Sequence, residues 1–254
     1  MPKSLNGINE KLKRAEQTIR NLETEIAILL SPLPRIKMMG RHPSFSDSDL
    51  KALKVLRDHA YGDPPLRFSI LAGEVIHHLR SSLDHLVWEL SDPSFRQKHR
   101  IGIEFPIYSI DPIKIDPRTK KNRLESYDRK VKGISSPTVL ARIKSLQPYH
   151  AADPLSDPLW LIHDMDITNK HRELSVFIST VGFQFSGISG FMAEYKTQRQ
   201  FIPFSSPVNM NTEVTAQIAF AQPIKGETEP VAPFLAQLLG FTRDVVQRFT
   251  GEFV

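Results

Sequence analysis

The sequence predicts a mainly α protein, an elongated helical bundle with a small antiparallel β-sheet inserted late in the chain (α+β). Three observations predict it. Apolar residues keep helical spacing over residues 5–29, 66–90 and 158–174. β-branched and aromatic residues crowd 175–222 instead. Pro233 then opens one more amphipathic segment, with Phe234, Leu238, Phe241, Val245 and Phe249 on one face.

The first helix rests on Leu5, Ile8, Leu12, Ala15, Ile19, Leu22, Ile26 and Leu29, spaced alternately three and four apart. Such a seam either lies on its own domain or joins two copies; a homodimer is expected, through this seam or through the face of the third helix that bears Arg80 and His85. Glu10–Arg14 and Glu16–Arg20 support the wet side. Pro32 and Pro34 end it. A second helix is predicted from Ser46 to Ala60, closed by the turn Tyr61-Gly-Asp-Pro-Pro65, and a third from Leu66 to Leu90, stopped by Asp92-Pro93.

Residues 93–135 show no sustained period, and the tract DPRTKKNRLESYDRKVKG is charged enough to predict a flexible connection. Pro137 starts a shorter helix to about Leu146. Asp157-Pro158 is a strong start signal, an N-cap Asp before proline at the first helical position. Beyond residue 174, VFISTVGFQF, FMAEY, QRQFIPF and the alternating Val214, Ala216, Ile218 and Phe220 predict three or four antiparallel strands. The expected organisation is therefore a helical bundle over 1–174, a β insert over 175–224 and a closing bundle helix over 231–250.

Composition narrows the chemistry. The chain of 254 residues has no cysteine, which excludes disulfides, thiolate nucleophiles and cysteine metal sites and suits a cytoplasmic setting. No apolar signal core opens it, and no run reaches the length of a membrane span. A net charge of +5, spread thinly, permits an anionic partner without demanding one.

The third helix raises the functional question. HHLRSSLDHLVWEL, residues 77–90, is one wall of a core yet carries His77, His78, Arg80, Asp84 and His85. At 100° per residue, Phe68, Val75, Leu79, Leu83, Leu86 and Leu90 form the apolar arc. Glu74, His78, His85 and Glu89 border it on one flank; Arg80, Asp84 and His77 border it on the other, with His77 shading into water. Glu74-x-x-His77 has a spacing used in diiron bundles, but no second such motif exists, and His78 and His85 stand two turns apart. No metal or cofactor is expected. Ser81 and Ser82 lie near histidines, but a straight helix lacks the exposed elbow of a triad nucleophile.

Arg80-x4-His85 resembles the signature of the HEPN superfamily, helical-bundle proteins whose Arg-x4–6-His motif cleaves RNA without metal. A second match, Arg35 to His42, falls in a proline-rich stretch; only Arg80–His85 sits on a long core helix, where that superfamily carries it. Ser81 departs from the Asn, Asp or His usual after the arginine. The resemblance implies an endoribonuclease of toxin or defence type with its cleft between two protomers. In it, His85 takes the proton of a ribose 2′-hydroxyl and Arg80 stabilises the phosphorane. A degenerate relative, or a non-catalytic binding or scaffolding protein with a protein partner, is the alternative.

The helix LWLIHDMDITNKHREL breaks its own pattern. Asp166 and Asn169 fall within the apolar arc around Ile162, His163 and Lys170 sit beside it, and His171 points away. Polar groups at core-facing positions need partners, so they mark a network or a site. LRSSLDHLVWEL, FPI at 105–107, LQPY at 146–149 and this helix also resemble a family of uncharacterised bacterial proteins with motifs of the form RSALDHLVW and NIDKHR. That resemblance, over about 60–175, implies that Arg80, Asp84, His85, Asp166, Asn169, Lys170, His171 and Arg172 belong together. Within the nuclease reading, Lys170 and Arg172 hold flanking phosphates of RNA, and Asp166 or Asn169 orients the imidazole. The two polar helices are expected to be neighbours, with Arg80 or His85 near Asp166 or Asn169.

Overall fold

A computed structural model describes residues 3–40, 46–59, 63–99, 101–172, 174–180, 184–185, 188–189, 210–214, 216–221 and 229–253. Among them are eight α-helices: α1 (Asn6–Leu30), α2 (Asp47–His59), α3 (Arg67–Leu90), α4 (Pro93–Lys98), α5 (Leu124–Val131), α6 (Pro137–Ser145), α7 (Pro158–His171) and α8 (Val231–Gln247). The described residues also form six short strands, β1 (Ile36–Gly40), β2 (Val176–Thr180), β3 (Gln184–Phe185), β4 (Ile188–Ser189), β5 (Met210–Val214) and β6 (Ala216–Phe220), and three single-turn 3-10 helices. The protein is mainly α with small antiparallel pairings, the predicted class.

The chain divides into two compact units. One comprises residues 1–20, 70–174 and 232–254; the other comprises 21–69 and 175–231. The first is helical. Ile8, Leu12, Ala15 and Ile19 of α1 are buried there, as are Val75, Leu79, Leu83 and Leu86 of α3, Ile143 of α6, Leu159 and Ile162 of α7, and Leu235 and Leu238 of α8. The α1 seam is thus covered from Ile8 to Leu22, while Leu5, Ile26 and Leu29 stay partly exposed. Local signals start the helices as predicted: Asp157 accepts from the Leu159 N–H at 2.8 Å ahead of α7, and Ser136 caps α6.

The second unit holds the strands. β2 pairs antiparallel with β6, Val176 opposite Phe220, and β3 with β4. β5 pairs with β1, Ile36 opposite Val214, a strand that sequence reading missed. Ile36 and Leu56 form a small core with Leu33, Ala52, Leu53 and Ala216 around them. The predicted strands FMAEY and QRQFIPF lie outside the described residues, as does His42 of the second Arg–His match.

The connection expected to be irregular over 93–135 holds two short helices, α4 and α5, with described residues of no regular structure between them. Pro93 starts α4, and the Asp92 N–H donates to the Gly133 carbonyl at 2.8 Å, tying the two ends of the segment together. Around Asp116 the charged tract closes on itself. The Asp116 carboxylate accepts from the Arg118 N–H at 2.8 Å and the Arg123 guanidinium at 3.3 Å, while the Lys120 N–H reaches the Asp116 carbonyl at 2.8 Å. Lys120 itself takes the left-handed backbone, φ 57°.

Candidate functional site

Arg80 is buried, and its partners explain why. One guanidinium nitrogen donates to the Phe105 carbonyl at 3.0 Å and lies 2.8 Å from the Asp84 carboxylate. Asp84 in turn accepts from the Phe105 N–H at 2.9 Å. The two side chains, one turn apart on α3, grip both backbone polar groups of a residue whose ring is fully buried. Burial pushes the Asp84 carboxyl above its ordinary range, against the pull of Arg80 and the Phe105 N–H. Gln147 extends the arrangement by donating to the Pro106 carbonyl at 2.8 Å. RSSLD, FPI and LQPY are therefore joined by a clamp on the 105–106 backbone.

His85 occupies the other flank. Five positions on a helix turn a side chain about 140°, so Arg80 and His85 cannot share a face. The His85 ring lies flush on Gly7 of α1, where an added Cβ would collide with its Cε1. Its Nε2 is 3.6 Å from Glu89, which also takes Arg96 at 3.1 Å. Burial, then Lys11, lowers the His85 pKa, so the imidazole is neutral. Lys11 also donates to Ser81 at 2.6 Å, so α1 covers the motif residues on this side.

α3 and α7 are neighbours, as expected, but through different residues. Asp166 is buried and holds His77 Nδ1 at 3.3 Å and Lys170 Nζ at 2.6 Å. His77, expected to face water alone, is half exposed yet partnered. Asn169 meets α3 at Gly73, where an added Cβ would fall 2.6 Å from its Cγ. Alanine is favoured over glycine by about 1 kcal/mol inside a helix, so Gly73 serves this close approach. Gly73→Ala is expected to destabilise by about 1–2 kcal/mol through overpacking, and Asn169→Ala in the same chain to recover most of it. A Gly73→Ala chain as urea-resistant as wild type would remove this account. His171 and Arg172 are exposed at the end of α7 and do not join the network.

His163, read from the sequence only as a neighbour of the apolar arc, lies beside the clamp with Lys130 and Glu104, which sequence reading passed over. His163 of α7 is driven down to about 4, chiefly by burial and then by Arg80 and Lys130, with Asp166 opposing and Lys170 adding to the effect. Lys130 of α5 pairs with Glu104 at 3.1 Å. Burial works against the Glu104 charge, but Lys130, Arg80 and Lys170 together hold it below its ordinary range. The available signal was Leu124, Tyr127 and Val131, a three-four spacing within the charged tract that marks α5.

Among the described residues no His, Asp and Glu group is placed to hold a metal ion, and no helix is long and apolar enough to cross a membrane. No family model, no curated protein and no solved structure matches the chain.

Proposed function

We propose that this chain is a non-catalytic binding protein, a degenerate relative if its kinship is with HEPN nucleases. One observation carries the reading: Arg80 is buried, with one guanidinium nitrogen committed to Asp84 and the Phe105 carbonyl and Nη1 enclosed without a partner, and His85 lies on the opposite flank of α3. A phosphorane-stabilising arginine has to present free donors where charge develops. A general base has to reach the hydroxyl it deprotonates. Here one is inside a backbone clamp and the other faces α1. The chain's partner is an RNA or a protein, in a cytoplasmic setting.

The test is cleavage. Labelled single-stranded RNA incubated with purified protein in excess chelator is expected to stay intact, with wild type and His85→Ala indistinguishable. RNA cut to 2′,3′-cyclic phosphate ends by wild type but not by His85→Ala would overturn the proposal and restore the nuclease.

A further inference from the structure

We infer that a cleft between α5, α7 and the Asp116 turn is a binding site for a phosphate monoester. The assignment goes beyond the reading above and holds whether or not the chain cuts RNA. The cleft has a volume of about 150 Å³ and is lined by Arg118, Arg123, Lys130, Ser126, Trp160 and His163 among others. That space admits a phosphoryl group and leaves the organic half of an ester at the mouth.

Charge favours an anion there. Three cations line the cleft, of which Lys130 is already paired with Glu104; the one lining acid, Asp116, has its carboxylate occupied by the Arg118 N–H and the Arg123 guanidinium. Backbone donation from Arg118, foremost, keeps Asp116 below its ordinary range. The Arg118 side chain is exposed and makes no ion pair among the described residues, while Arg123 is half exposed and free to turn one fork toward a ligand. Arginine forks match phosphate oxygens in pairs. Arg123 stands at the N-cap of α5 and Ser126 in its first turn, so the positive end of that helix opens on the same space.

The floor of the cleft supplies the second line of argument. Burial above all keeps His163 neutral, with Arg80, Lys130 and Lys170 adding to it and Asp166 opposing, while Glu104 stands among the same cations. A dianion arriving beside it offsets those cations, and the imidazole becomes a good donor to phosphate oxygen. Trp160 stands edge-on to His163, centroids 5.7 Å apart, and offers an aromatic flank to the organic part of the ester. A diester carries half the charge and has no dianionic end to seat.

Calorimetry of the full chain with phenyl phosphate, and with dimethyl phosphate as the diester, tests the site. One saturable site for phenyl phosphate is expected, with the diester at least tenfold weaker. Arg118→Ala and Arg123→Ala should each weaken binding roughly tenfold or more, the scale of a lost hydrogen bond to a charged group. Lys144→Ala, on an exposed turn of α6, should change nothing. The His163 ring signals should titrate at higher pH in the saturated protein than in the free one. Absence of saturable binding, equal binding of both esters, or unchanged binding in Arg118→Ala would overturn the assignment. If Arg123→Ala unsettles the Asp116 turn, Arg118→Ala decides alone, because its side chain supports nothing else.

Discussion

Arg80→Ala is expected to destabilise the protein by about 3 kcal/mol, the lower end of what removing one partner from a buried ion pair costs, because the Asp84 side chain is a third exposed. Without the guanidinium, the Asp84 carboxylate keeps its unfavourable burial and loses its counter-charge, and the Phe105 carbonyl loses its donor. For a chain of this size that corresponds to a melting temperature roughly 10 °C lower. Arg80→Lys should recover only part, since one ammonium cannot reproduce a planar fork held between a carboxylate and a carbonyl. A catalytic arginine behaves in the opposite way, leaving stability intact when truncated. An Arg80→Ala chain that melts with wild type would therefore refute the clamp.

Stability should fall as pH drops from 7 to 4, with His163 the largest single contributor. Its pKa is about 4 in the folded chain against 6.5 as the ordinary value. The unfolded chain thus binds the proton more tightly, and stability is lost as pH falls through 6.5 until the folded imidazole titrates as well. The shift is worth about 2 kcal/mol between pH 7 and pH 5, and about 3 kcal/mol by pH 4. His78 and His85 are also lowered, each first by burial, and act in the same direction. Asp84, raised by burial, acts in the other. His163→Gln should flatten the dependence measured by denaturant unfolding at pH 7, 6 and 5. An unchanged slope in that variant would remove His163 from the explanation.

The long helices were legible because their apolar period is uninterrupted and their starts are marked by Asp157-Pro158 and Ser136-Pro137. The wheel of α3 even placed Arg80 and His85 on opposite flanks. It could not say what covers each flank, because Phe105 and Gly7 reach α3 from distant stretches of the chain. Asp166 was legible as a violation, but its partner His77 was not, since a residue at the edge of the wet face looks solvated until a neighbour arrives. β1 escaped for a related reason: five residues carry no period of their own, and β5 pairs with them from far along the chain. The Asp116 turn escaped because net charge was weighed above local geometry, although an Asp followed by proline is a turn former in its own right.

The helical unit is discontinuous, and this has a consequence for how it is made. Its last wall is α8, which contributes Phe234, Leu235, Leu238 and Val245 to the buried set, with Phe249 just beyond it. Ribosomal synthesis delivers α1, α3 and α7 well before this wall, at about 5–20 residues per second. For several seconds the nascent unit therefore exposes an apolar groove that no earlier segment fills. Closure across the intervening residues 175–231 has to await the synthesis of α8. Ribosome-bound chains halted before residue 231 should accordingly be protease-sensitive throughout 70–174, and should become resistant only when α8 has emerged.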